Sequence, residues 1–230
     1  MVNLSRRISP VIVAVIIYFG ATACVSAPWE DIRAQEIAQC QQGEIETWRD
    51  SVDRPAVANR MNFVYDHASA PSWFDQATVL SAVEQAAKAW AACSMPVSVA
   101  ATQSAGVVPA GSILVMWSEQ GSRHNFGLAN MRDKTISLGP SAFQLLQTRN
   151  PSYDSRQTLQ MVISHEMGHL FGVMAHSRRC VDVTSYYDDG KGGHCTIRGG
   201  ASLPPDVEYR SVLPTACDIQ RCRTVNAGAH

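Results

Sequence analysis

The sequence predicts an α+β domain with five strands, and three observations carry that reading. Two long stretches, 75–92 and 154–170, space their apolar residues at the helical period. Five short strand-like segments are bounded by Gly, Pro, Ser or Asp. Along the chain these elements run strand, helix, strand cluster, helix. A length of 230 residues allows one domain or at most two small ones. With 46% hydrophobic and 17% charged residues the chain is too apolar to be disordered. A net charge of -1 without any Lys/Arg-rich run leaves no electrostatic footprint for nucleic acid.

Residues 1–23 read as an export signal. Arg6 and Arg7 precede an apolar run from Val11 to Phe19, and Gly20-Ala21-Thr22-Ala23 leads into Cys24. The run is too short to span a bilayer. AlaThrAlaCys resembles a bacterial lipoprotein signal, which implies lipidation of Cys24, a membrane anchor and a place in the cell envelope, periplasm-facing or on the surface. An ordinary cleaved signal peptide, giving a secreted protein, and an uncleaved anchor are the alternatives, and all three export the domain. The other six cysteines, Cys40, Cys93, Cys180, Cys195, Cys217 and Cys222, suit three disulfides in an oxidising compartment. Six cysteines allow 15 connectivities. The expected pairs are Cys40 with Cys93, Cys180 with Cys195, and Cys217 with Cys222. A cysteine zinc site is disfavoured because no CxxC pair occurs.

Residues 24–59 form a polar leader, read as a short helix followed by irregular chain, and residues 60–230 form the main domain. Phe63-Val64-Tyr65 is the first strand. Val79, Leu80, Val83, Ala86, Ala87 and Trp90 then mark a helix over 75–92, with Ser72 or Asp75 as its cap and Pro96 as its end. Strands follow at Val97–Ala100, Ile113–Ser118, Gly127–Asn130 and Thr135–Leu138. A second long helix starts near Asp154, whose spacing to Gln157 resembles a capping box, and ends at the breaker Gly172. A final short helix runs from Cys217 to Arg223.

The second long helix carries His165-Glu166-Met167-Gly168-His169. Histidines four apart share one helix face, so both imidazoles can reach one Zn2+, with the Glu placed to hold a metal-bound water. A third donor must come from beyond the helix, and Gly172 suits the turn that brings it, because glycine adopts positive φ without steric cost. Val173, Met174 and Ala175 have no side chain suited to zinc, and His176 is the first that does.

The string from His165 to Ser177 resembles the metzincin zinc metallopeptidases, and the order of elements over roughly residues 60–225 resembles a matrixin-like catalytic domain. The resemblance implies a twisted mixed sheet, a backing helix, the zinc helix and a small C-terminal helical subdomain. It implies one catalytic Zn2+ on His165, His169 and His176, with Glu166 deprotonating the metal-bound water that attacks a peptide carbonyl. A peptide or protein substrate would lie along an edge strand at Thr135–Leu138, and a side pocket walled by residues 177–212 would select its side chain. Two departures stand out. The third histidine comes one residue late, with Ala175 at the usual position, and Leu213 replaces the methionine of the turn beneath the metal.

Other readings stay open at this level. A gluzincin-type peptidase would recruit Glu208 as third ligand. A weakly active or inactive metzincin-like domain would act as a binding module at the envelope. Asp188-Asp189-Gly190 is a candidate Ca2+ contact, although no EF-hand spacing surrounds it and a solvated turn is favoured. His67, His124 and His194 read as surface residues. Cys40 lacks the setting of a zinc-capping thiol.

Overall fold

The computed structural model describes residues 28–102, 108–200 and 207–228. The signal segment 1–23 and Cys24 lie outside the described residues. Among those described, the elements in chain order are α1 (Pro28–Ala38), β1 (Met61–Tyr65), α2 (Gln76–Trp90), β2 (Val97–Ala101), β3 (Ile113–Trp117), the one-turn α3 (Glu119–Ser122), β4 (Gly127–Asn130), β5 (Thr135–Leu138), α4 (Pro140–Arg149), α5 (Ser155–Leu170) and α6 (Ala216–Asn226). The strands form one mixed sheet in the order β2-β1-β3-β5-β4. All neighbours are parallel except β4 and β5. This is the α+β class that the sequence predicts.

Helix α2 begins where Asp75 accepts hydrogen bonds from the backbone N–H and hydroxyl of Thr78, at 2.8 and 2.7 Å. Its stripe from Val79 to Trp90 is buried against β1, β2 and α5. Trp90 Nε1 donates to the Ser164 carbonyl at 2.9 Å, and its ring stacks on Phe171 at 5.6 Å, so α2 fixes the position of α5. Helix α5 is buried along nearly its whole length and packs against β4 and β5.

Three expectations need correction. Thr135–Leu138 is an interior strand, and Gly127–Asn130 is the edge. The tight link between them folds β5 inward, where Ile136 and Leu138 are fully buried, and leaves β4 half-buried at the rim. Helix α4 occupies chain that had no element assigned. Gly139 supplies no side-chain cap, and an exposed Leu145 beside a buried Phe143 blurs the periodicity; the legible signal is Pro140 at the first helical position.

The third correction concerns the cysteines. Cys180 bonds to Cys195 as expected, but Cys40 bonds to Cys217 and Cys93 to Cys222. Residues five apart on a helix point roughly 140° from each other. Cys217 and Cys222 therefore cannot meet, and α6 uses them to hold the leader on one side and the turn after α2 on the other. Disulfides of this kind belong to an oxidising compartment. No described helix is long and apolar enough to cross a membrane.

Besides the main core, a small second cluster joins Cys180, Val181, Ile197 and Tyr209 with Trp29, Ile32 and Ile37 of α1. Glu36 anchors it, taking hydrogen bonds from Arg179, from the Tyr209 hydroxyl and from the Arg198 N–H.

Candidate metal centre

Helix α5 runs straight through its histidine pair because nothing in Ser155–Leu170 breaks it. Asp154 caps it by accepting from the N–H groups of Arg156 and Gln157 at 2.9 and 3.3 Å. After Phe171 the chain reverses at Gly172, with φ 101°. A β-carbon there would lie 2.0 Å from the Arg54 carbonyl oxygen, so the position requires glycine twice over, for conformation and for room.

The reversal brings His176 back to the helix. The rings of His165, His169 and His176 have centroids 4.9, 5.0 and 5.2 Å apart, and their ligand atoms all lie within 4.8 Å of one another. Each Nδ1 already has an oxygen partner. His165 Nδ1 donates to the Val183 carbonyl at 2.8 Å, His169 Nδ1 to the Val173 carbonyl at 2.9 Å, and His176 Nδ1 to the Asp50 carboxylate at 2.5 Å. These partners keep the proton on Nδ1, which leaves Nε2 as the free lone pair of all three rings. His176 Nε2 is buried with no hydrogen-bond partner. An orphaned acceptor within reach of two further imidazoles is the environment a metal ion satisfies.

Electrostatics agrees. Burial, followed by the neighbouring histidines, holds His165 well below its ordinary value. Burial and then His169 lower His176 to about 4, with Asp50 opposing. The contact with Asp50 is thus a hydrogen bond from a neutral ring rather than an ion pair at neutral pH. Neutral imidazoles are the form that binds metal.

Glu166 lies buried beside the triad. Burial raises its carboxyl above the ordinary value, against the opposing effects of His169 and the Ala129 N–H. Its Oε2 accepts from Ala129 N at 2.8 Å, so the edge strand β4 orients it. That approach depends on Gly127, where a β-carbon would stand 2.5 Å from Val162 Cγ1 and 2.9 Å from Glu166 Cγ. Tyr186 stacks on His176 at 3.7 Å between centroids. A cleft of about 710 Å3 is lined by the three histidines and Glu166, and also by Gly127, Leu128 and Ala129 of β4 and by Tyr153, Glu208 and Arg210.

The loop from Val173 to Ser185 rests on a buried polar network. Asp218 accepts from Val183 N at 3.0 Å and from the Thr184 hydroxyl at 2.6 Å. Asp182 accepts from the hydroxyls of Ser177 and Thr215 at 2.6 and 2.5 Å. Arg221 donates to Asp53, to the Thr184 hydroxyl and to the Ala175 carbonyl.

The structure therefore brings His165, Glu166, His169 and His176 together, with Gly172 as their turn. Glu208 is held elsewhere, accepting from Arg210, Tyr153 and Tyr187. Leu213 is half-buried, and its neighbour Val212 packs on the main core. His194 and His124 are exposed; His67 accepts from, or donates to, the Tyr65 hydroxyl at 2.6 Å. Asp189 takes the N–H groups of Lys191 and Gly193 in an exposed turn. Cys40, Glu44 and Cys217 also lie close together, but the two sulfurs are a disulfide and offer no thiolate. Sequence reasoning did not find Asp50, Gly127, Ala129 or Tyr186, since no local pattern marks them.

The chain matches no protein-family model and no curated protein by sequence. Solved structures similar to it include two at low identity. One is an archaemetzincin from Methanopyrus kandleri, 14% identical with a TM-score of 0.44, the match covering 73% of this chain and 97% of that one. The other is the GM1-bound form of the ECX AB5 holotoxin, 10% identical with a TM-score of 0.42, covering 76% of this chain and 86% of that one.

Proposed function

We propose that the chain is an exported zinc endopeptidase of metzincin type. The observation that carries this reading is the triad itself: three imidazoles from a helix and its return loop, each tied through Nδ1, converge their free nitrogens beside a buried carboxylate. Three nitrogen ligands with an open fourth position suit catalytic zinc. When bound at His165, His169 and His176, zinc supplies Lewis acidity, making water nucleophilic near pH 7 and polarising a carbonyl.

The chain's own residues do the rest. Glu166 is the general base, and since the Ala129 N–H occupies Oε2, Oε1 is the atom that takes the proton from the attacking water. The raised carboxyl then returns that proton to the leaving amine. Strand β4 borders the cleft and lies at the sheet edge, so an extended peptide would add beside it through main-chain hydrogen bonds. Tyr153, Glu208 and Arg210, which also line the cleft, would contact substrate side chains.

Casein hydrolysis by the zinc-loaded protein, with and without a chelator, tests the reading. Chelator-sensitive cleavage is expected; a folded, zinc-loaded sample that cuts nothing points instead to a binding module. Export belongs to the same proposal, supported by the three disulfides, and lipid attachment at Cys24 joins it on the AlaThrAlaCys sequence alone. Cys24→Ser should move the protein from the membrane to the soluble fraction, and unchanged membrane retention would remove the anchor from the proposal.

A further inference from the structure

The leader is laced along the return loop that carries the third histidine. Val57 N donates to the Leu170 carbonyl at 3.1 Å and Arg54 N to the Gly172 carbonyl at 3.0 Å. Asp53 Oδ1 accepts from Met174 N and Ala175 N at 2.8 and 2.9 Å. Asp50 accepts from both His176 N, at 3.0 Å, and His176 Nδ1. Trp48 N donates to the His176 carbonyl at 2.9 Å, and Arg178 N to the Glu46 carbonyl at 2.9 Å. Residues 46–57 thus run antiparallel to residues 170–178 and occupy the loop's polar groups in register. The strap is tethered at both ends, upstream by the Cys40–Cys217 disulfide and downstream by its continuation into β1.

Resting on the zinc reading above, we propose that this strap is a permanent part of the metal centre and that Asp50 is the positioning residue for His176. One carboxylate holds both the backbone and the ring of the ligand, so it fixes the ring's direction as well as its tautomer. The strap also accommodates the extra residue between Gly172 and His176, because its Asp53 takes the N–H groups of Met174 and Ala175.

Chelator-competition titration with Zn2+, beside thermal unfolding of the metal-free full chain with disulfides intact, tests this. Asp50→Ala should weaken zinc binding about 10- to 100-fold while the metal-free midpoint stays within about 2 °C of wild type. Asp50→Asn should fall between, since one acceptor oxygen remains for two donors. Asp53→Ala should lower the metal-free midpoint more than Asp50→Ala does, because it also removes the carboxylate that pairs with the buried Arg221. Wild-type zinc affinity in Asp50→Ala overturns the proposal. So does a loss of affinity accompanied by a fall in midpoint as large as that of Asp53→Ala, which would mark Asp50 as merely structural. A wild-type chain that takes up no zinc overturns the zinc reading and this proposal together, whereas the Asp50 outcomes leave that reading standing.

Discussion

Gly127→Ala should damage catalysis without touching a single metal ligand. A β-carbon at this position would stand 2.5 Å from Val162 Cγ1 and 2.9 Å from Glu166 Cγ, whereas carbon atoms pack at about 3.5–4.0 Å. Strand β4 and helix α5 must therefore separate by about 1 Å. The hydrogen bond from Ala129 N to Glu166 Oε2, 2.8 Å in the native structure, then stretches beyond hydrogen-bonding range. Glu166 loses its orienting donor, and a displacement of about 1 Å in a reacting group costs on the order of 100-fold in rate. Overpacking costs roughly 1–3 kcal/mol of stability, equivalent to a fall in midpoint of about 2–12 °C for a domain of this size. The histidines are anchored through Val183, Val173 and Asp50, none of which Gly127 touches, so zinc affinity should stay within a few-fold of wild type. The assay is kcat/KM on a peptide substrate, with zinc titration and thermal unfolding on the same sample. Wild-type kcat/KM in Gly127→Ala would refute the argument that β4 aims Glu166.

Glu166→Gln should keep zinc content near wild type and lower turnover by several orders of magnitude, measured by metal analysis and peptide cleavage; retained turnover would mean that Glu166 is not the base. His176→Ala should sharply weaken zinc binding and abolish cleavage, while His194→Ala and Glu208→Ala bind zinc as wild type does; a zinc titration in which His176→Ala matches wild type would sink the ligand assignment. Asp182→Asn addresses pH. Burial, with Asp218 adding to it, pushes the Asp182 carboxyl up to about 7 from an ordinary 3.8. The native state therefore binds the extra proton between those values, and stability falls as pH rises from about 4 to about 7. Removing the titrating group should flatten that slope and raise the midpoint at pH 8 relative to wild type, in thermal scans across pH; an unchanged slope would show that other groups carry it.

How much of this was legible from the chain follows from the range of each interaction. The histidine pair was readable because four residues along a helix return to the same face, and Gly172 because a backbone reversal with positive φ leaves its mark on one residue. His176 followed from the absence of donors at Val173, Met174 and Ala175. Helix α2 and all five strands had local apolar patterns, so their existence and approximate bounds could be read directly. Helix α4 could not, since its burial falls on Phe143 while Leu145 faces solvent.

What only the tertiary structure decided is non-local. Asp50 and His176 are 126 positions apart, and nothing in either neighbourhood announces the other. The cysteine pairing turned on which faces of α6 meet α1 and the turn after α2, a choice that 15 equivalent connectivities hide from spacing. The edge position of β4 depended on β5 folding inward, which local strand propensity does not encode. The sequence by itself determined which residues can bind a metal and where the helix presents them. Packing determined how their rings are held, because orienting a side chain takes a partner across space: loop carbonyls of Val183 and Val173 for His165 and His169, and for His176 the Asp50 carboxylate of a leader that has no chemical signature of its own.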